Sequence, residues 1–441
     1  MRSLRSAIAL GFVVSWVHLA PAFAQTAGNG AGLPDAVTVL DLLRRLPSGR
    51  TGANAGWGSA AVPLAGRAAG QAAVVGAVSP QVRSKEVIVT LPARADGASV
   101  LALSRRLGLE GDTLYTSALL GQRVVRLRIP DQRSIETVLG QVAAEAEIIV
   151  VQPHYVYELN QGAAKSLPVP QYAPEKLHLT EAHKISQGKR IKIAVIDTQI
   201  DVAHPALKGA VTETFDAIGD AKSEPELHGT AIAAIAGARA ELIGVAPGAS
   251  VIGIRAFAKG PAGPAQSYTL ALIKGLDFAV ASGARVVNMS FSGPEDPLLG
   301  KAIAAAEQQG VVIVAAAGNG GPNAKPAYPA AFPNVIAVTA TDRSDQIYAL
   351  ANHGAYIGIA APGVDIISAA PKAAYDISSG TSLAAAHVSG IVALMLGKNP
   401  KLTPKDVRAI LAKSAHATPG RGADETGAGM ADAAAAVSAV K

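Results

Sequence analysis

Three polar residues, an aspartate, a histidine and a serine, stand beside apolar stretches that would bring them to one edge of a sheet. Asp197 follows an apolar strand pattern, His228 opens an Ala-rich helical stretch, and Ser382 opens another helical stretch. A serine hydroxyl is a weak nucleophile until a base takes its proton, and a histidine with a pKa of about 6.5 can do so near neutral pH. A carboxylate beside that histidine would fix its tautomer and stabilise the imidazolium. These residue types fit nucleophilic attack by a serine.

Each of the three residues also has an ordinary structural interpretation. An aspartate after a strand often caps a helix, a lone histidine is more often structural than catalytic, and Gly-Thr-Ser before a helix is a common capping sequence. The combination argues for chemistry, because Asp, His and Ser in this chain order on a doubly wound domain is one of the known convergent arrangements. The helix that follows Ser382 would also direct backbone N–H groups at developing negative charge.

The elements that must position these residues alternate from residue 172 onward. Continuous apolar runs predict parallel strands, buried on both faces, at 191–196, 251–254, 286–290, 311–316 and 335–339. Helical patterns cover 230–238, 267–282, 298–309 and 383–396. We therefore predict an α/β domain with a doubly wound parallel sheet, whose functional residues lie at the carboxyl ends of the strands.

Longer motifs surround the three residues and resemble a known family. The segments are AVIDT at 194–198, HGT at 228–230, NMS at 288–290, AAAGN at 315–319 and GTSLAAAHV at 380–388. In order and register they resemble the subtilisin-like serine peptidases, or subtilases, and GVAP at 244–247 and AAPG at 360–363 match as well. The resemblance spans about residues 172–435 and implies a subtilisin-like catalytic domain that hydrolyses peptide bonds through an acyl-enzyme.

The resemblance implies a role for each matched position. Asp197 would orient and stabilise His228, His228 would act as general base and then acid, and Ser382 would attack the carbonyl. Asn319 would donate its side-chain amide to the oxyanion beside the backbone N–H of Ser382, and loss of such a donor costs about 3–4 kcal/mol. The ordinary interpretation of Asn319 is a turn residue between two glycines.

The same resemblance predicts where a polypeptide substrate would bind. An added substrate strand would pair with Ser290, Phe291, Ser292 and Gly293. One wall of the specificity pocket would consist of Ala315, Ala316, Ala317 and Gly318, with Ala327 near its base. Because none of these positions carries a charge, we expect an apolar or small residue before the scissile bond.

Several positions depart from the family's pattern. Gln199 stands where a glycine is usual, and Ala231 and Ile232 stand where a second histidine followed by valine is common. Ala386 replaces a frequent proline, and Ser292 replaces a glycine of the substrate-binding strand. These changes affect fine geometry and subsite shape rather than the type of reaction, because none removes a catalytic atom.

The usual calcium site of the family is a larger departure. Family members often bind calcium through an aspartate in the segment that matches residues 204–207, where this chain has Ala206. The matching loop, 236–243, offers a single acid, Glu241. Calcium takes about six to eight oxygen ligands. We predict no metal at this usual strong site and no required cofactor, and weaker calcium sites stay open.

The N-terminus has the features of a signal peptide. Arg2 and Arg5 supply a positive end, residues 7–20 an apolar run, and AFA at 22–24 a cleavage site. A membrane anchor is the alternative, but the run is shorter than the roughly 20 residues that span a bilayer. We predict that residues 1–24 are removed on export to the periplasm or the medium, without stable membrane insertion.

The chain between the signal peptide and the catalytic domain has two distinct parts. Residues 25–82 are rich in Ala, Gly and Pro and predict a flexible linker. Residues 83–160 carry strand patterns at 86–91, 123–129 and 147–151 and helical patterns at 97–107 and 134–144. They predict a small ferredoxin-like α+β domain whose sheet is covered on one face by two helices.

The end of this small domain adds to the resemblance. VQPHYVY at 151–157 resembles the carboxyl end of the family's propeptide, which implies a folding template and an intramolecular inhibitor. A permanent second domain is the alternative. Residues 161–171 predict a linker that contains the processing site, and the catalytic domain would cover 172–441.

Composition narrows the partners of this 441-residue chain. The net charge is +6 without a dense Lys/Arg run interleaved with aromatics, so nucleic acid is a poor candidate. The chain has no cysteine, which excludes disulfides, thiolate catalysis and Cys-ligated zinc. We expect a monomer whose partners are polypeptide substrates and its own propeptide.

Two other functions compete with an exported, self-processing serine endopeptidase. A catalytically silent relative would use the groove only to bind peptides, but all four catalytic positions are filled. A nucleotide-binding protein with a doubly wound sheet would have a glycine-rich loop after its first strand, where this chain has DTQID at 197–201.

Overall fold

The computed structural model describes residues 81–159, 171–219, 223–259 and 264–441, together with the backbone of 73–74. All of them belong to one structural unit, Trp57–Lys441. The predicted signal peptide, almost all of the predicted flexible linker, and residues 161–170 of the predicted processing linker lie outside the described residues.

The described residues up to 159 form an N-terminal domain, an antiparallel sheet with two helices. The sheet has the strand order β3-β4-β2-β5, and β1 adds to β5 in parallel. Asp96 caps the first helix through a hydrogen bond from Ser99 N to Asp96 Oδ1 (2.8 Å). The elements are β1 (Ala73–Val74), β2 (Val82–Pro92), α1 (Gly97–Leu107), β3 (Glu110–Ser117), β4 (Gln122–Arg128), α2 (Ile135–Ala143) and β5 (Val150–Glu158).

Both faces of this sheet are apolar, and each packs against a different part of the protein. Side chains alternate between faces along a strand, so Val87 and Val89 pack with α1 and α2 in the core of the domain. Ile88 and Val124 point to the other face, where they pack against Leu270, Ile273 and Leu298 of the following domain. The N-terminal domain therefore has its own core and a second apolar face that docks.

Three strands of the N-terminal domain differ from the sequence-based expectation. Strand β1 lies within the stretch predicted as a flexible linker and pairs with β5. The sequence patterns do not predict β3, because its residues are mostly exposed and polar, and its position depends on pairing with β4. Strand β5 reaches Glu158 rather than ending at 151. Its second half pairs antiparallel with a strand of the following domain, Ala265–Tyr268, and such a distant contact leaves no local signal.

The remaining residues, 171–441, form the second domain, built mainly of alternating strands and helices. A short 3₁₀ helix, Pro205–Leu207, follows its first long strand. The elements are α3 (Ala173–Lys176), α4 (Leu179–Ile185), β6 (Lys192–Asp197), β7 (Val211–Asp216), α5 (Leu227–Gly237), β8 (Ser250–Arg255), β9 (Ala258–Lys259), β10 (Ala265–Tyr268), α6 (Thr269–Ala281), β11 (Val286–Met289), α7 (Pro297–Gln308), β12 (Val312–Ala316), β13 (Ile336–Thr341), β14 (Ile359–Pro362), β15 (Ile366–Ala370), β16 (Ala374–Ser378), α8 (Thr381–Lys398), α9 (Pro404–Ser414), α10 (Ala423–Thr426) and α11 (Ala433–Ala439).

The central sheet of this domain is parallel throughout and confirms the predicted doubly wound α/β fold. Its strand order is β14-β13-β12-β11-β6-β8-β7. In β6, Ile193 and Val195 face the core formed with α5 and α8, whereas Ala194 and Ile196 face the core formed with α6 and α7. Burial on both faces explains why the inner strands read as largely apolar runs. The edge strand β7, VTETFD, is polar and only partly buried.

Helix α8 is almost entirely buried. It has the length and hydropathy of a membrane span, yet 89% of it is buried inside the protein. Among the described residues it is the one helix that meets those two criteria. Its apolar character is explained by its position in the core of the domain.

His387, within α8, makes the stability of the fold sensitive to acid. Its Nδ1 lies 2.9 Å from the carbonyl of Leu383, and burial lowers the pKa of the imidazole to about 4. The unfolded chain takes up this proton near pH 6.5, whereas the folded chain does so only near pH 4. The stability that the neutral ring contributes is therefore present above pH 6.5 and lost as the pH falls toward 4.

We expect this titration to remove about 3 kcal/mol of unfolding free energy between pH 7 and pH 4. Urea unfolding followed by circular dichroism at several pH values measures it. His387→Gln has no titrating group at this position and should show a correspondingly weaker pH dependence. An identical pH dependence in both chains would contradict the assignment.

Candidate active site

Asp197 and His228 meet at the carboxyl end of β6. Asp197 is the last residue of the strand and is fully buried, and His228 lies in the first turn of α5. The Nδ1 atom of His228 lies 2.8 Å from Asp197 Oδ1 and 2.9 Å from Oδ2. The carboxylate accepts from Nδ1–H, so the neutral ring carries its lone pair on Nε2. This tautomer is the one that can take a proton from a hydroxyl.

A glycine allows the two elements to approach closely. A Cβ atom on Gly229 would lie 2.5 Å from the carbonyl oxygen of Thr198, so no larger residue fits without movement. Instead, the backbone N–H of Gly229 donates to Thr198 Oγ1 at 3.0 Å. Thr198 also donates its backbone N–H to Asp197 Oδ1 at 2.7 Å. These contacts tie the start of α5 to the end of β6 and fix His228 beside Asp197.

Ser382 is the second residue of α8, as the sequence predicts. Its hydroxyl donates to the carbonyl of Ser290 at 3.1 Å. His228 Nε2 is buried and has no hydrogen-bond partner among the described residues. The nucleophile and base are therefore not hydrogen-bonded to each other here, and such catalytic hydrogen bonds often form only in the reacting complex. Rotation of the Ser382 hydroxyl away from Ser290 would be needed to engage the base.

A buried polar network holds the strand next to Ser382. Ser290 Oγ donates to the Ser382 carbonyl at 2.9 Å and accepts from Asn288 Nδ2 at 2.8 Å. Ser389, two turns further along α8, donates to Asn288 Oδ1 at 2.9 Å. The network fixes the end of β11 against the start of α8. Sequence reasoning missed Ser389, whose i+7 spacing from Ser382 on one helix was the available signal.

Asn319 has a fixed amide orientation. Its Oδ1 accepts from the backbone N–H of Thr381 at 3.1 Å and from Thr381 Oγ1 at 2.8 Å. Because the backbone N–H can only donate, the oxygen must face Thr381 and the amide nitrogen must point the other way. The Thr381 hydroxyl oxygen also accepts from the backbone N–H of Gly318 at 3.2 Å. Thr381 is therefore a positioning residue, and the sequence interpretation did not single it out.

The end of β5 lies between two segments of the second domain. On one side, Glu158 exchanges backbone hydrogen bonds with Ser292 at 3.1 and 3.3 Å. On the other side, Glu158 is paired with Gln266 of β10, and Leu159 N donates to the carbonyl of Ala265 at 3.2 Å. The segment at 290–293 and strand β10 thus flank one extended chain as an antiparallel ribbon.

Tyr157 fills an apolar subsite in this ribbon. The side chain is fully buried, and its ring meets Phe291 edge-on with centroids 5.7 Å apart. It also lies directly over Gly293, where a Cβ atom would come within 2.4 Å of the ring. The glycine therefore leaves the space that the aromatic ring occupies.

The predicted pocket residues divide into two groups. The side chains of Ala315 and Ala316 belong to the two hydrophobic cores on opposite faces of the sheet. Ala317 and Gly318 follow the strand, and a Cβ on Gly318 would lie 3.0 Å from the methyl group of Ala327. Ala327 is therefore next to Gly318, and the Asn352 amide and the Tyr356 hydroxyl, which donates to the carbonyl of Ala317 at 2.7 Å, lie beside them.

The pocket segment is joined to the substrate-binding strand. Gly293 and Tyr328 exchange backbone hydrogen bonds at 2.8 and 3.1 Å. Gly318 has φ of +109°, a conformation that favours glycine, and its carbonyl accepts from Asn352 N at 3.1 Å. The first two bonds join Gly293 to the segment at 327–328, and the third joins Gly318 to Asn352.

Comparisons with known proteins agree with this arrangement. A family model described as the subtilase family matches residues 188–431. Thermitase from Thermoactinomyces vulgaris is 35% identical over 260 residues, which cover 57% of this chain and 90% of thermitase. Subtilisin DY from Bacillus licheniformis is 33% identical over 256 residues, which cover 56% of this chain and 92% of that protein.

A solved structure supports the fold. Fervidolysin from Fervidobacterium pennivorans, described as a keratinolytic enzyme related to subtilisin, matches with a TM-score of 0.71 at 23% identity. The match covers 84% of this chain and 63% of fervidolysin. With the family match over residues 188–431 and the identity to thermitase and subtilisin DY, the chain belongs to the subtilase family and is a subtilisin-like serine endopeptidase.

Proposed function

We propose that the chain is exported as a self-processing endopeptidase whose N-terminal domain is an intramolecular inhibitor. One observation carries the proposal: the end of β5 runs antiparallel between β10 and Ser292, as an extended substrate would. The signal-peptide pattern of residues 1–24 supports export. The small, uncharged residues at the predicted pocket positions, such as Gly318 and Ala327, support a preference for apolar or small residues before the scissile bond.

The proposed mechanism follows from the hydrogen bonds of the site. Once the Ser382 hydroxyl turns to His228 Nε2, the imidazole takes its proton as the oxygen attacks the substrate carbonyl. Asp197 stabilises the imidazolium that forms. The negative oxygen is stabilised by the Asn319 amide N–H groups and the backbone N–H of Ser382. His228 then returns the proton to the leaving amine, and water hydrolyses the acyl-enzyme by the same route.

Polar contacts between the domains support a specific docking of the N-terminal domain. The Tyr115 hydroxyl donates to Asp277 Oδ2 at 2.9 Å, and Leu119 N donates to Asp277 Oδ1 at 2.8 Å. Gln152 bridges the domains in the same way, since it donates to Asp296 Oδ1 at 2.9 Å and accepts from Leu298 N at 3.2 Å. These bonds would hold the end of β5 in register.

The register predicts the bond that is cut. Glu158 lies opposite Ser292. In antiparallel pairing, the substrate residue that faces Ser290 comes two residues after the one that faces Ser292. The carbonyl of Ser290 contacts the Ser382 hydroxyl. We therefore infer that the chain hydrolyses its own bond between Asn160 and Gln161.

Mass spectrometry of the purified full chain tests self-processing. The native chain should yield a fragment that begins at Gln161, whereas Ser382→Ala should stay uncut. If both stay uncut and neither hydrolyses casein, the silent relative that only binds peptides is the correct alternative. Processing of Ser382→Ala at the same bond would mean that another peptidase performs the cut.

Asn319 provides a separate test of the oxyanion contact. Asn319→Ala removes the amide donor and is expected to lower kcat by about 10²–10³-fold with little change in KM, because the contact forms in the transition state. Asn319→Asp keeps an oxygen that accepts from Thr381 and should lose as much activity. Asn323→Ala, in the same loop but exposed, is the matched control. An effect on KM alone would contradict the proposed role.

We also propose that the enzyme needs no cofactor and does not hold calcium at the usual strong site. Ala206 places a buried methyl group where an aspartate ligand would be required. The carboxylate of Glu241 is hydrogen-bonded by the hydroxyl of Tyr375. These residues do not provide the six to eight oxygens, roughly, that calcium takes.

A further inference from the structure

Two histidines and an aspartate from distant parts of the chain converge on one point of the surface. His178 Nδ1 lies 2.8 Å from Asp432 Oδ2, and His416 Nε2 lies 2.5 Å from the same oxygen. The three atoms lie within 4.8 Å of one another. We call this set the His-Asp-His cluster. None of its members belongs to the catalytic site.

The carboxylate of the cluster is held in place while its second oxygen faces the two rings. Asp432 caps helix α11, since Ala435 N donates to its Oδ1 at 2.8 Å. Its side chain is 6% exposed, whereas the side chains of His178 and His416 are 51% and 60% exposed. The rings meet edge to face with centroids 6.2 Å apart. A ligand that arrives from solvent therefore meets three donor atoms that point to one place.

The backbone around the cluster is fixed by contacts of its own. Ala433 N donates to the carbonyl of Leu177, which joins the start of α11 to the turn that carries His178. His416 exchanges backbone hydrogen bonds with Met430, both at 2.8 Å. His178 itself has φ of +53°, an unusual conformation for a residue other than glycine. The three side chains are thus brought together by the fold rather than by proximity in sequence.

We propose that the His-Asp-His cluster binds a divalent transition metal, with Zn²⁺ as the best match. Imidazole nitrogen and carboxylate oxygen are common zinc ligands, at about 2.0–2.2 Å, and three protein ligands plus water complete a tetrahedron. Ligand atoms at that distance lie roughly 3.3–3.5 Å apart in a tetrahedron. Small side-chain rotations would therefore widen the observed 2.5 and 2.8 Å separations to fit the ion. Calcium is a poor match, because it prefers oxygen ligands only.

The proton balance of binding is simple. Before binding, each ring donates an N–H to Asp432 Oδ2. The metal takes the lone pairs of His178 Nδ1 and His416 Nε2, so the ring protons shift to His178 Nε2 and His416 Nδ1, both directed away from the ion. A neutral imidazole binds in each case, and the carboxylate supplies one negative charge.

The expected consequence is a stabilising clip across the domain. His178 and Asp432 are separated by 254 positions in the chain, so the unfolded chain does not present the three ligands together. A ligand that binds only the folded state stabilises it by mass action. Bound zinc would connect the start of the domain to its last helix, independently of peptide hydrolysis.

Cobalt and zinc titrations of the full chain test the proposal. The untagged Ser382→Ala chain avoids self-digestion. Co²⁺ should bind with 1:1 stoichiometry and give the visible absorption of tetrahedral coordination, and Zn²⁺ should displace it. Free Zn²⁺ at about 100 times its Kd should raise Tm by roughly 3 °C or more relative to chelator-treated protein.

Single substitutions in the same background identify the ligands. His416→Ala changes an exposed side chain and should weaken Zn²⁺ binding by at least about 100-fold, since even indirect changes near a metal cost 10- to 100-fold. Asp432→Asn should do the same, whereas His353→Ala, a partly exposed imidazole outside the cluster, should bind normally. Retained 1:1 binding in His416→Ala would place the metal at other residues of the chain and overturn the proposal. No stoichiometric binding in the parent chain would overturn it as well and leave a hydrogen-bonded cluster only.

Discussion

Ser382→Ala is expected to lower peptide-bond hydrolysis by about 10⁶-fold, the largest effect of any single substitution in the chain. The variant removes the atom that forms the acyl-enzyme, and neither His228 nor Asn319 can replace it. Residual hydrolysis, about 10³–10⁴-fold above the uncatalysed rate, should remain because the oxyanion donors and the binding groove are intact. The helix should be unaffected, since the Ser382 hydroxyl makes a single hydrogen bond within the part of the chain that the structure describes, to the carbonyl of Ser290.

The measurement must separate peptide-bond hydrolysis from removal of the N-terminal domain, because Ser382→Ala is expected not to remove that domain itself. A recognition sequence for an unrelated peptidase, introduced within residues 161–170, lets the N-terminal domain be cut from native and variant chains alike. Hydrolysis of a chromogenic peptide is then compared. Ser379→Ala makes the same chemical change three residues earlier and should retain most of the activity. Loss of less than about 100-fold in Ser382→Ala would argue for a different nucleophile.

Asp197→Asn is expected to reduce kcat by about 10⁴-fold while the protein stays folded. In the native site both carboxylate oxygens face His228 Nδ1, at 2.8 and 2.9 Å. An amide has one oxygen and one donor, so it can hold the ring in the wrong tautomer and cannot stabilise the imidazolium. The loss should appear in kcat rather than KM, because the imidazolium forms during the reaction.

The neighbouring aspartate offers a matched control. Asp201 lies in the same loop and accepts from the backbone N–H groups of Ala203 and Lys372 at 3.1 and 2.9 Å. Asp201→Asn should leave kcat within a few fold of the native value. Equal losses of kcat in both variants would indicate that activity depends on the conformation of the loop rather than on the carboxylate beside His228. Circular dichroism and Tm of each variant check that folding is unchanged.

The sequence predicts the second domain well because its signals are local. Each buried parallel strand is an unbroken apolar run, and the carboxyl ends of such strands meet at one edge, so Asp197 and the start of α8 are found without a structure. The roles of Thr381 and Ser389 are less visible, since they depend on which groups face them across the fold.

Features that depend on contacts between distant residues cannot be predicted from local sequence patterns. Strand β3 is polar and exists through its pairing with β4, and the second half of β5 is extended because β10 lies beside it. The His-Asp-His cluster is the extreme case, because neither His178 nor His416 belongs to a metal-binding motif. Sequence spacing carries no information about ligands that only the folded chain brings together.

Strand β5 belongs at once to the sheet of the N-terminal domain and to the groove of the enzyme. The order of that sheet and the occupancy of the groove are therefore coupled, because the same strand takes part in both. If the cut falls after Asn160, the rate at which the groove opens is set by how often the small domain unfolds, not by how fast the enzyme cuts. The stability of residues 81–159 would then determine the delay between the cut and the appearance of active enzyme. Substitutions in that domain would change the delay without any change at the catalytic residues.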